Sequence, residues 1–119
     1  MTQAESRLRV RKQDDVTIVE FVDRNILDEA NIQQIGTEIG SLIESGDAEK
    51  LVISFSNVDH LSSAALGALI TIHNKLKARD GKLKLANIDP QIYEVFVITK
   101  LNMLFEIHET LDGASASFA

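Results

Sequence analysis

The chain has 119 residues, 45% hydrophobic and 25% charged, the size and balance of one globular domain and not of a disordered segment. A formal net charge of −6 argues against nucleic acid as the main partner, because phosphate binding needs a basic patch. With no cysteine, disulfides, thiolate metal sites and cysteine nucleophiles are excluded. No window carries the roughly 20 apolar residues of a membrane span. Met1 to Arg11 holds no apolar signal segment, so the expectation is a cytoplasmic protein without membrane insertion.

Leu8 to Arg11 alternates apolar with basic, as does the pattern around Val16 to Val22. Each reads as a strand, and Gln13-Asp14-Asp15 reads as the turn of a hairpin. Arg7, Arg9 and Arg11 then face outward on an exposed strand, where they discourage edge-to-edge pairing. Asp28 is placed to cap a helix with Ile32, Ile35, Ile39, Leu42 and Ile43 on one face and Gly46 as its left-handed end. Gly36 and Gly40 each cost that helix about 1 kcal/mol relative to Ala, and the expected return is close approach to the sheet or a neighbouring helix.

Leu51 to Phe55 is a continuous apolar run, the signature of a central strand covered on both faces. A loop over Ser56 to Leu61 leads to a second helix starting near Ser62 or Ser63, with Ala65, Leu66, Leu69, Ile72 and Leu76 inward. Lys75, Lys77 and Arg79 complement its dipole, and Asp80-Gly81 stops it. Lys82 to Ala86 alternates and makes a fourth strand, with the lysines between Lys75 and Lys84 read as solvated charge. Asp89-Pro90 starts a third helix whose apolar side is Ile92, Tyr93, Val95, Phe96 and Ile98, and Leu101 to Phe105 continues the core contacts. Ile107 to Glu109 is the last short strand, and residues 110–119 read as a low-order tail with room for one helical turn. The whole is expected as a single α/β domain, residues 1–119 with its core over 8–109. Its sheet is mixed, mostly parallel, of about four to five strands, with helices mainly on one face.

Convergent reactive groups are scarce. Asp59-His60-Leu61-Ser62-Ser63 is the densest cluster, but sequence neighbours rarely form nucleophile, base and orienter. His60, His73 and His108 share no metal-ligand spacing, and no Gly-rich phosphate loop is present, so no metal, cofactor or catalytic residue is expected. Ser62 and Ser63 stand at a loop-to-helix junction directly after the central strand. One reading is an N-cap, worth about 1 kcal/mol. The other is phosphorylation, because a helix N-terminus tolerates the roughly −1.5 to −2 charges of a phosphoserine.

Leu51 to Leu69, LVISFSNVDHLSSAALGAL, resembles the core segment of STAS domains, in which a central strand runs into a D-S-S-G-L-G motif. Val22 to Asp28 resembles the lead into that family's first helix. Gly81 to Pro90, Val95-Phe96 and Leu101 to Phe105 resemble its closing strand, helix and loop, so the likeness spans Leu8 to Glu109. The resemblance implies an anti-sigma-factor antagonist, not an enzyme. It would be a module that binds an anti-sigma factor with serine kinase activity and is released by phosphorylation at the start of the second helix. Partner-binding residues carried over are Asp59, His60, Leu61, Ser62, Ser63, Ala64, Ala65 and Gly67, in a monomer or homodimer.

Matching Leu66-Gly67 to the motif's L-G places Ser62 on the Asp and Ser63 on the first serine. Ala64 then holds the usual phosphoserine position and Ala65 the motif's glycine. Ser63 is therefore the first phosphorylation candidate and Ser62 the second, and a binder that is never phosphorylated fits the same pattern. The alternatives are a scaffold or accessory STAS subunit of a larger signalling or transporter complex, and a small hydrolase using Ser63 and His60.

Overall fold

The computed structural model describes residues 8–13, 15–22, 25–26, 29–46 and 49–118. Asp28, Arg7 and most of the Val22 to Asp28 segment lie outside them. The elements are β1 (Leu8–Gln13), β2 (Val16–Phe21), β3 (Asn25–Ile26), α1 (Glu29–Glu44), β4 (Lys50–Ser54), β5 (His60–Leu61), α2 (Ser63–Ala78), β6 (Lys82–Ala86), α3 (Pro90–Ile98), a 3-10 turn (Leu101–Met103), β7 (Glu106–His108) and α4 (Leu111–Ala116).

Five strands form one sheet in the order β1-β2-β4-β6-β7, and β3 pairs with β5 separately. β1 and β2 are antiparallel, joined so tightly that Gln13 pairs with Val16. Every later neighbour in the sheet is parallel, as crossover helices require. The expected mixed, mostly parallel sheet is therefore the one observed. β4 is its central strand, and Leu51 to Phe55 are all buried because both faces are covered.

The front face packs against α1, α2 and α3. Ile32, Ile35, Ile39 and Ile43 of α1 meet Leu66, Leu69, Ile72 and Leu76 of α2 and Ile92 and Phe96 of α3 over Val19, Leu51, Ile53 and Leu85. Each fully buried side chain of this size contributes roughly 1.5–3 kcal/mol. Gly46 ends α1 at φ +82°, as its position predicts. The expected close approach at the α1 glycines is absent at Gly36 and found at the buried Gly40 only against a side chain of α2. A Cβ on Gly36 would meet nothing within 4 Å, and one on Gly40 would meet only the flexible end of Lys75. α2 stops differently from expectation too. Asp80 takes the left-handed conformation, φ +60°, while Gly81 is needed because a Cβ would stand 2.7 Å from Leu76 Cδ2 and 2.9 Å from the Glu49 carbonyl oxygen.

The back face corrects the reading of the tail. Residues 111–116 are a helix, capped by the Thr110 side chain, which accepts from the Gly113 N–H. Ala114 of α4 is fully buried against Val16, Ile18, Val52 and Ala86, with Leu111 and Phe118 beside it. Because this helix covers the back of β6, Lys84 is buried rather than solvated. Its ammonium lies 2.8 Å from Glu106 and 4.4 Å from the centre of the Phe118 ring, and it donates to the Ser117 hydroxyl. On the front side Val10 is 46% exposed, because β1 runs past the helical layer. Tyr93 and Ile98, expected on the inner side of α3, also face solvent, and so do Met103 and Leu104; Ile92, Phe96 and Phe105 alone of that stretch are buried. The last strand lies one residue earlier than expected, at Glu106–His108.

Candidate functional site

The parallel strands deliver their C-terminal ends to one rim of the sheet, the usual place for a site in an open α/β fold. At this rim the loop after β4 is tied to both neighbours. The Phe55 N–H donates to the Ala86 carbonyl at 2.9 Å, and the Val58 N–H closes a turn onto the Phe55 carbonyl at 2.9 Å. Asn57 Nδ2 donates to the Phe21 carbonyl at 3.3 Å, and Asn87 Nδ2 donates to the buried Ser54 hydroxyl at 3.0 Å. His60 and Leu61 then pair with Asn25 and Ile26 as a two-residue parallel ribbon. The approach to α2 is therefore held from three sides before the helix begins.

Ser62 is the N-cap, with extended backbone (φ −83°, ψ 164°), and its Oγ accepts from the Ala65 N–H at 3.2 Å. Ser63 is the first helical residue and is exposed, as are Ala64 and Gly67 on the outer side. Ala65 and Leu66 turn inward and are buried. No acidic residue occupies the first turn, so beyond the Ser62 cap no carboxylate in that turn offsets the positive end of the α2 dipole. Asp59 and His60 are exposed and Leu61 is half-buried, so seven of the eight expected partner-binding residues reach the surface of this rim; Ala65 does not, because its methyl group packs into the core. Beyond Asp59, a hollow of about 400 Å³ opens between Phe55 to Asp59 and Asn87 to Asp89, with Glu109 on its rim.

The geometry forms no nucleophile and base here. Among the described residues no hydrogen bond joins His60 to Ser62 or Ser63, and the Ser62 hydroxyl is engaged by the cap. His73 stacks edge-on against Phe105 at 5.5 Å between ring centres, an ordinary core contact. No group of three His, Asp or Glu side chains among the described residues is arranged to hold a metal ion. Among the described residues no helix is long and apolar enough to cross a membrane. Sequence reasoning missed the polar cluster of Lys84, Glu106, His108 and Ser117, where His108 Nε2 lies 2.6 Å from Glu106. The spacing of Leu111, Ala114 and Phe118 behind a capping Thr110 was the signal that could have revealed it.

The family model for the STAS domain matches residues 7–114. The chain belongs to the STAS domain family. A Bordetella bronchiseptica protein named as an anti-sigma factor antagonist, BtrV, is 25% identical over 95 residues, covering 80% of this chain and 81% of that relative. Among solved structures, an anti-sigma-factor antagonist (STAS) domain protein from Planctomyces limnophilus superposes with a TM-score of 0.84 at 22% identity, over 98% of this chain and 100% of that one. The Bacillus cell fate determinant SpoIIAA in its phosphorylated form gives a TM-score of 0.73 at 18% identity, over 94% and 99%. At these identities the structures establish the fold. In this STAS domain the central strand, the tied loop and the capped second helix are the parts that carry the sequence resemblance.

Proposed function

We propose that this STAS domain is an anti-sigma-factor antagonist, a regulatory protein-binding module acting in the cytoplasm. Its partner is an anti-sigma factor with serine kinase activity, bound through Asp59 to Ala64 and Gly67, with Ala65 buried beneath them. The observation that carries this reading is the division of labour between the two serines. Ser62 is committed to the cap, while Ser63 presents a free hydroxyl at the exposed, positive end of α2. A phosphate on Ser63 would be tolerated by the helix dipole and would place a dianion in the centre of the binding surface, which blocks docking without unfolding the domain. Ser62 is the second candidate, reachable only at the expense of its cap.

Ala64 favours a second reading. It is exposed at the position where the family usually carries the modified serine, and its methyl group cannot accept phosphate. A scaffold or accessory STAS subunit of a larger signalling or transporter complex, bound without phosphorylation, fits that substitution.

The test is intact-mass analysis of the protein from its native cells, with peptide mapping across Asn57 to Lys75 and affinity capture of partners by wild type and Ser63→Glu. One phosphate on Ser63, and a kinase-type anti-sigma factor captured by wild type and lost with Ser63→Glu, is the expected result. An unmodified protein recovered only within a large assembly selects the scaffold reading instead.

A further inference from the structure

The main sheet ends in two edge strands of opposite chemistry, β1 and β7. β1 carries Arg9, Arg11 and Lys12, all exposed, whereas β7 and the residue after it carry exposed Glu106 and Glu109. Arg11 also bridges Glu20 of its own hairpin at 3.4 Å, and Glu106 holds Lys84 and His108, while Arg9 and Glu109 have no ion-pair partner among the described residues. The two edges also match by face. Paired residues point to the same side of a sheet, and Val10 pairs with front-facing Val19 while Arg11 pairs with back-facing Ile18. On β7, Ile107 pairs with front-facing Leu85 and Glu106 with back-facing Lys84. Beside β7 on the front lies a groove of about 550 Å³, walled by Ile88, Pro90, Tyr93 and Ile107. Val10, on the opposite edge, is an apolar side chain left 46% exposed.

We propose that the β1 edge of one copy docks on the β7 edge of a second copy, head to tail, so that the sheet continues from molecule to molecule. β1 runs antiparallel to the other four strands, so a second copy in the same orientation presents it antiparallel to β7. With Val10 opposite Ile107, its side chain enters the groove toward Tyr93, Arg11 falls opposite Glu106, and Arg9 falls opposite His108 on the same face. A slip of one residue would turn Val10 to the wrong face. Two β1 strands paired about Val10 would set Arg9 against Arg11, which like charge disfavours. The edge charges thus select between pairings rather than forbidding all of them. β7 has only three residues, so the contact is small and the monomer prevails in dilute solution. A head-to-tail contact that does not close leaves both ends free for further copies.

Sedimentation velocity of the full chain over a wide concentration range tests this. Wild type is expected to grow without a plateau at the dimer. Val10→Glu blocks the β1 edge and Tyr93→Glu blocks the groove, both at exposed positions, and each alone is expected to stay monomeric. Mixed in equal amounts, they retain one good edge of each kind and form a one-to-one pair that grows no further. Should Tyr93→Glu lower the melting temperature, Pro90→Glu replaces it as the groove variant, since Pro90 is exposed and a helix N-terminus tolerates a carboxylate. A wild type that stays monomeric throughout overturns the proposal. So does growth that stops at the dimer, or a mixture that fails to pair.

Discussion

Ser62 Oγ accepts from the Ala65 N–H at 3.2 Å, and Ser63, one position on, is exposed as the first residue of the same helix. Two adjacent and chemically identical side chains therefore have separate physical roles. One satisfies an orphan donor of the helix end; the other faces solvent.

Ser62→Ala is expected to cost about 1 kcal/mol of folding stability through loss of the cap, while Ser63→Ala stays within about 0.5 kcal/mol of wild type. Urea unfolding of both variants measures this directly. Equal losses would show that the cap contributes nothing.

Ser63→Glu is expected to keep full stability or gain about 0.3–1 kcal/mol, because a carboxylate at an otherwise acid-free first turn favours the helix dipole. Thermal melts at low and high salt check it, since the gain is screened by ions. A large loss of stability would mean that a charge at this position disturbs the fold, and that a phosphoserine could not act on docking alone.

Gly36→Ala is expected to stabilise by about 0.5–1 kcal/mol, since the methyl group enters open space in a helix interior. Gly81→Ala should do the reverse, by about 1–3 kcal/mol, because its Cβ collides with Leu76 and the Glu49 carbonyl. Paired denaturant curves separate the two, and a Gly81→Ala variant as stable as wild type would contradict the packing described.

Glu106 provides a pH test. Its carboxyl is held below the usual range first by the hydrogen bond from Lys84 and then by that from His108. A carboxylate with a depressed folded pKa stabilises above its unfolded pKa, and the contribution is lost as pH falls through the folded value. Wild type should therefore lose stability below about pH 4 that Glu106→Gln does not lose. At neutral pH, Glu106→Gln is expected to cost about 1–2 kcal/mol, less than for a fully buried pair because Glu106 is 54% exposed. Lys84→Met, which removes the buried charge itself, should cost less than Glu106→Gln. Denaturant titrations at several pH values give all three results.

Periodicity made the front of the molecule legible. The isoleucine stripe of α1, the apolar run of β4 and the Asp89-Pro90 start of α3 each have one strong physical reading, and each is found in place. The back was not legible for an equally physical reason. Leu83-Lys84-Leu85 alternates like a strand with one wet face, and only a covering helix from the far end of the chain turns Lys84 into a buried ion. That helix is six residues long with one buried alanine, too short to announce itself by period. The exposure of Tyr93 and Ile98 was hidden in the opposite way, because a nine-residue helix rich in apolar residues does not reveal which of them the core accepts. At the site itself, the junction and its serines were visible in the sequence, but the assignment of the cap to Ser62 needed the backbone geometry.

The inward side of α2 begins only at Ala65, so Ser63 and Ala64 carry none of the core. Substitution at these two positions is nearly free of folding cost, while every residue from Ala65 to Leu66 inward is constrained by packing. Regulation can therefore diverge between descendant copies of such a gene by single changes at the helix tip, gaining or shedding a modifiable hydroxyl while the scaffold is inherited intact.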